Sequence, residues 1–232
     1  MSRVVAINGS PRMERGDTEM ILAPFLRGMT GAGAETETFY PSRLKLKPCD
    51  CNEMRCWFKT PGECHHKDDM RDLYPGLEEA DILVLATPVY VPLPGDMQHV
   101  INRLSPLMAP HIEWREGRSR AHFRKEVRIK KMVLVSTGGW WEKANFDTVL
   151  RIVRELAANG GVEFAGAVLR PHVSVMKRDG RLTQAGEDVL RAVELAGHDL
   201  IANGAMRSET LDAISRPLVS EEVYRRAFNQ ML

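Results

Sequence analysis

Val4-Val5-Ala6-Ile7-Asn8-Gly9-Ser10-Pro11-Arg12, followed by Gly16-Asp17-Thr18, is the stretch whose reading decides the fold. Its uninterrupted aliphatic run suits a strand covered on both faces, as in a parallel sheet. The chain then turns through Gly9, Ser10 and Pro11, and a helical apolar periodicity runs from Thr18 to Met29. A buried strand, a polar loop and a helix start together make an anion site. The free N–H groups of the first turn face the loop, and the helix dipole stands behind them. Ser10 and Thr18 add hydroxyls, and Arg12 adds a charge-assisted contact. The loop has neither a Gly-Lys-Ser/Thr ending nor the spaced glycines of a dinucleotide fingerprint. As a plain strand-to-helix turn it would use Asp17 as N-cap.

Three further runs repeat the buried-strand signature: Ile82 to Ala86, Met132 to Val135 and Phe164 to Leu169. Glu35 to Tyr40 alternates polar and apolar residues and suits an edge strand. Helical patterns fill the gaps at Asp68 to Glu79, Gly95 to Leu104, Asn145 to Asn159 and Gln184 to Ala202. Strands alternating with helices predict an α/β fold: a doubly wound five-stranded parallel sheet of order 2-1-3-4-5, with helices on both faces. Pro24 and Pro75 fall inside helical patterns and predict a kink or an early break at each. Two segments stand outside the alternation: Pro48 to His66, and the basic stretch Pro110 to Lys131. Residues 1–205 read as the domain and 206–232 as a helical extension. Ser220-Glu221-Glu222 starts its helix, with Val223, Tyr224, Ala227 and Phe228 on one side to pack on the domain or on a partner subunit.

With 232 residues, the chain is long enough to bury one large core without disulfides. Its net charge of +1 argues against a bulk electrostatic role on nucleic acid or membrane. No apolar run of about 18 residues is present, so no membrane span is expected. The first residues lead straight into a strand without a basic signal-type region, which predicts a cytoplasmic protein.

Gly9-Ser10-Pro11-Arg12 with Gly16-Asp17-Thr18 resembles the phosphate loop of the NADPH-dependent FMN reductase family and its flavodoxin-like relatives, the iron-sulfur flavoproteins. The resemblance implies that Ser10, Arg12 and Thr18 hold the FMN 5′-phosphate. Asp17 stands where the family usually has a small polar residue, often Asn, so its carboxylate must point away or cap the helix. Thr87 to Gly95 resembles the family's Pro-hydrophobic-Tyr loop, which implies that Pro88, Val89, Tyr90 and Val91 wrap the isoalloxazine ring. A stiff loop with one aromatic offers stacking area and backbone N–H groups to a flat ring with a polar edge. Ile101-Asn102-Arg103 resembles the helix that follows, where Asp-Arg is commoner. After the fourth strand, Thr137, Gly138, Gly139 and Trp140 let the backbone approach a ring closely and set an indole beside it. These loops follow strands one, three and four, which line one crevice in the expected order.

The resemblance implies an FMN-dependent oxidoreductase that uses NAD(P)H to reduce a quinone, a flavin, another small-molecule electron acceptor or a redox protein. The cofactor carries such chemistry, so no essential side-chain acid or base is expected. A homodimer or homotetramer is implied, without nucleic-acid or membrane partners. Two alternatives stay open: an electron carrier with FMN and a [4Fe–4S] cluster, and a non-enzymatic binding module. Cys49, Cys51, Cys56 and Cys64 resemble the cluster segment of the iron-sulfur flavoproteins, but with gaps of one, four and seven residues. The family run has two-residue gaps between its first three cysteines. The segment reads first as a lid with Cys56-Trp57 in its base, second as a cluster site, third as zinc held by Cys with His65 and His66. Arg115, Arg118, Arg120, Arg124, Lys125, Arg128, Lys130 and Lys131 read first as a salt-bridged insertion with Glu113, Glu116 and Glu126. A 2′-phosphate site, or RNA contact through Trp114 and Phe123, comes second.

Overall fold

The computed structural model describes residues 1–230, so the last two residues of the expected 206–232 extension lie outside it. In chain order the elements are β1 (Arg3–Asn8), α1 (Asp17–Gly31), β2 (Glu35–Phe39), α2 (Arg55–Phe58), α3 (Met70–Glu79), β3 (Ile82–Pro88) and α4 (Gly95–Asn102). Then come β4 (Glu113–Arg115), β5 (Arg118–Arg120), β6 (Lys131–Thr137), α5 (Asp147–Gly160), β7 (Glu163–Arg170), β8 (Lys177–Arg178), β9 (Arg181–Leu182), α6 (Gln184–Ala202), α7 (Ser208–Ser215) and α8 (Glu221–Asn229).

The parallel five-stranded sheet has the order β2-β1-β3-β6-β7. Counted among the strands of this sheet alone, that is the expected order 2-1-3-4-5; the labels shift because an antiparallel hairpin, β4-β5, intervenes in the chain between β3 and β6. That hairpin lies in the basic stretch, where charge masked any alternation of apolar residues. β2 is the half-wet edge that its alternation predicted. At the other edge one residue of β7 bulges, and Gly166 takes φ +120° there, a conformation open only to glycine.

Successive strand residues face opposite sides, so the sheet carries two cores. Val5, Ile7, Leu83, Leu85 and Leu134 pack with Leu73 and Leu77 of α3, Val100 of α4 and Val153 of α5. Val4, Ala6, Val84, Val133 and Val135 pack on the other face with Ile21 and Phe25 of α1 and Val193 of α6. The expected breaks at Pro24 and Pro75 do not occur: α1 and α3 run through both. Each proline removes one backbone bond, and the fully buried residues beside it, Phe25 and Leu73 among them, hold the helix against the sheet.

α1 and α6 touch backbone to backbone. A Cβ on Gly28 would sit 1.8 Å from the Glu194 carbonyl oxygen, and one on Gly197 2.0 Å from that of Phe25. Ile214 of α7 is fully buried in the core on this face. The basic stretch is a salt-bridged insertion: Arg118 and Arg120 meet Glu155, Arg124 meets Glu78, and Arg128 and Lys130 meet Asp81.

Candidate functional site

β1 ends in a buried asparagine that organises the first loop. The Asn8 side-chain oxygen accepts from the Ser10 N–H at 3.0 Å, and its amide donates to Glu19 at 2.8 Å. Ser10 Oγ accepts from the Arg12 N–H at 3.3 Å. α1 starts at Asp17 with Gly16 as N-cap and no side-chain cap. Asp17 is therefore not the cap that a plain turn would have made of it. Its carboxylate pairs with the Arg12 guanidinium instead, which neutralises the negative charge beside an anion site. The first-turn N–H groups are left for a ligand. The loop has no room for side chains at its glycines: a Cβ on Gly16 would lie 2.6 Å from Ser10 Oγ, and one on Gly9 2.7 Å from the Met97 Cβ.

The three expected loops meet at the carboxyl edge of the sheet. The Gly9 N–H donates to the Ala86 carbonyl at 2.8 Å, joining the first loop to β3. The Val89 N–H donates to the Thr137 carbonyl at 2.9 Å, joining the second loop to the third. The Thr18 and Thr137 hydroxyls lie 3.0 Å apart in the interior, joining the third loop to the first. Gly138 is demanded by packing, since a Cβ would meet the Phe146 ring at 2.9 Å, whereas at Gly139 it would meet nothing within 4 Å. Val89 and Pro88 are half-buried. Tyr90, Val91 and Trp140 stand in solvent at 52%, 99% and 56% exposure. Side chains of that size leave water only if something flat and apolar covers them. An uncapped helix start beside exposed ring-sized apolar groups fits a phosphate with an aromatic ring, which is the chemistry of FMN.

The model of the NADPH-dependent FMN reductase family matches residues 2–172. The chain belongs to this family. An iron-sulfur flavoprotein of Archaeoglobus fulgidus is 34% identical over 116 residues, covering 50% of this chain and 57% of that one. The chain thus spans about half the length of the curated relatives it matches. Among solved structures, an NAD(P)H:quinone oxidoreductase from Methanothermobacter marburgensis superposes with TM-score 0.58 at 16% identity, covering 86% of this chain and 96% of that one. An FMN-dependent NADH-azoreductase from Bacillus anthracis, in complex with FMN, gives 0.60 at 13% identity, covering 88% and 100%. These two likenesses show the fold. No helix among the described residues is long and apolar enough to cross a membrane.

In this FMN reductase family member the C-terminal helix clasps the third loop. Tyr224 of α8 donates its hydroxyl hydrogen to the Gly139 carbonyl, and the Phe228 ring lies 5.4 Å from that of Trp140. The Trp141 indole donates to the Val219 carbonyl at 3.0 Å. Beneath it lie Arg170 and His172, both fully buried. Arg170 donates to the carbonyls of Pro171 and Ile214, each at 2.7 Å, and to His172 Nε2 at 2.8 Å. The Leu218 N–H shares that same acceptor at 3.2 Å. An Nε2 that accepts twice fixes His172 as the neutral Nδ1–H form. Arg170-Pro171-His172 at the end of an apolar strand was the available signal, but sequence gives no sign that such polar side chains are buried.

Burial, then the Arg170 charge, pushes His172 down to about 4. Between that value and the ordinary 6.5, the unfolded chain binds a proton that the folded chain refuses. The stability present above pH 6.5 is therefore lost as pH falls toward 4, by up to about 3 kcal/mol. Melting curves across this range check it: His172→Gln should flatten the acid slope, and an unchanged slope would remove His172 as its source.

The cysteine segment coils through left-handed residues at Cys51, Glu53 and Met54. Cys49 and Cys51 are exposed and Cys56 and Cys64 half-buried, yet all four line one cavity with Asp50, His65 and His66. The Trp57 indole donates to the Ser105 carbonyl at 2.9 Å, and the Cys56 thiol lies 3.7 Å from Ser105 Oγ. Burial pushes that thiol's pKa up. At the segment's root Asp68 takes two hydrogen bonds from Arg103, each 2.9 Å, and one from the Lys47 N–H at 2.8 Å.

Proposed function

We propose that the protein binds FMN non-covalently at the carboxyl edge of its sheet and uses NAD(P)H to reduce a small-molecule or protein electron acceptor. The observation that carries this reading is the joining of three loops around the uncapped start of α1. In it, Ser10 and the first-turn N–H groups of Asp17 and Thr18 hold the phosphate, with Arg12 as the charge at the rim. Pro88, Val89, Tyr90 and Val91 on one side, and Thr137, Gly138, Gly139 and Trp140 on the other, frame the ring. FMN supplies the hydride and electron chemistry when bound. The protein binds it, orients it and keeps water from its apolar face. Thr18 serves by tying its loop to Thr137. The reading includes a homodimer or homotetramer, a cytoplasmic location, and 206–232 as an extension able to reach a partner subunit.

The test is a visible spectrum of purified protein before and after FMN, then NADPH. Flavin bands that bleach with NADPH support the reading; failure to bind FMN would leave a binding module of another kind. Arg12→Ala should weaken FMN binding about ten-fold, the lower end for a lost charged hydrogen bond at an exposed site. Unchanged affinity would remove Arg12 from the phosphate site.

One observation favours a second reading, an electron carrier with FMN and a [4Fe–4S] cluster: Cys49, Cys51, Cys56 and Cys64 share one cavity. The four thiols are a suitable donor set. A broad brown band in protein purified without oxygen, with bleaching by dithionite and not by NADPH, would support it.

A further inference from the structure

Within the cysteine segment, the most tightly gathered donor atoms are not sulfur. The ligand atoms of Asp50, His65 and His66 all lie within 4.8 Å of one another. His65 Nε2 stands 3.2 Å from one Asp50 carboxylate oxygen, and His66 Nε2 stands 3.6 Å from the other. A tetrahedral ion with nitrogen and oxygen ligands at about 2.0–2.2 Å has ligand-to-ligand edges of roughly 3.3–3.6 Å. The two separations from imidazole to carboxylate lie close to that range, and all three ligand atoms lie within 4.8 Å of one another.

The His66 Nε2 atom is buried and has no hydrogen-bond partner. A buried polar atom without a partner costs about 1–3 kcal/mol, so it calls for a ligand. The two imidazole rings are neighbours in sequence, with centroids 4.0 Å apart. Asp50 supplies the negative charge, and half of its side chain is open to solvent for entry.

We propose that Asp50, His65 and His66 form a mononuclear site for a divalent transition-metal ion of the zinc class, with water or a neighbouring thiol in the fourth position. Two imidazoles and one carboxylate with an open position are a recurrent donor set for such ions. The site is built from atoms that a four-cysteine cluster does not use, and it is independent of the FMN reading. Its physical effect is to close the chain between Asp50 and His65, |i−j| = 15. Metal binding to the folded segment alone stabilises it by mass action.

The test uses the full chain, stripped with a chelator and titrated with zinc chloride by calorimetry, then with cobalt(II) by absorption. One ion should bind per chain, raise the melting temperature, and give visible cobalt bands. His66→Gln and Asp50→Asn should each weaken zinc binding about 100-fold or more, since even outer-shell partners are worth 10–100-fold. Retained FMN binding and circular dichroism check that these variants fold. A variant with Cys49, Cys51, Cys56 and Cys64 all changed to Ser should keep the ion. No stoichiometric binding by the unsubstituted chain would overturn the proposal. So would a site lost in the serine variant but intact in His66→Gln.

Discussion

Gly28→Ala is expected to destabilise the protein by about 3 kcal/mol or more, although alanine is the better helix former. Two effects compete. Removing a glycine from a helix interior favours folding by about 1 kcal/mol. Against this, the new Cβ would lie 1.8 Å from the Glu194 carbonyl oxygen and 2.8 Å from the His198 nitrogen. Those are backbone atoms of α6 and cannot rotate away, so the helices must separate. Overpacking of a fitted core costs about 1–3 kcal/mol and sometimes more, and here it also opens the contact made by Gly197 on Phe25. Gly31→Ala at the end of the same helix is the control, because its Cβ would meet nothing within 4 Å. Urea unfolding should show a large loss for the first and none for the second. Equal stabilities would mean that the close approach of α1 and α6 is not a feature of the folded protein. The loss also reaches function, because α1 carries the phosphate loop at its start, and FMN affinity should fall with it.

Asp68→Ala should cost about 3–5 kcal/mol, the range for removing one partner of a buried ion pair. Arg103 is only 1% exposed and would keep its charge without a counter-ion. Burial raises the Asp68 pKa, but the hydrogen bonds from Arg103 and the Lys47 N–H outweigh it and hold the carboxyl at about 2. The pair therefore stays charged throughout the neutral range. Asp68→Ala combined with Arg103→Met should recover much of the loss, since an apolar replacement leaves no orphaned charge. A double variant as unstable as Asp68→Ala alone would show that the anchoring of Lys47, rather than the buried charge, sets the cost.

The sheet was legible because its inner strands are uninterrupted aliphatic runs and its edge strand alternates. The three loops were legible because glycine, proline and hydroxyl residues follow those runs directly. The β4-β5 hairpin was not, because its residues Glu113, Arg115, Arg118 and Arg120 make salt bridges and side-chain bonds to backbone rather than an apolar face. The pairing of Asp17 with Arg12 depends on side-chain direction, which spacing alone does not give. The bond between Thr18 and Thr137 spans 119 residues, and no local pattern announces it. Arg170 and His172 carry the composition of a surface and lie in the interior. Within the chain Tyr224 and Phe228 sit on the third loop, a contact that the periodicity of their helix does not specify.

The position of β1 at the centre of the sheet has a consequence in time. It is synthesised before its neighbours in the sheet, pairing on one side with β2 and on the other with β3, where Val4 faces Ile82. At the ribosome's pace of about 5–20 residues per second, that second neighbour follows roughly 4–16 s later. Throughout that interval an apolar strand with an open edge is exposed, the form most prone to pair with other chains. Refolding from denaturant presents the same hazard, because this contact must close a long loop before it gains anything. Yield should therefore depend steeply on protein concentration and on chaperones that shield the first strand until the third has arrived.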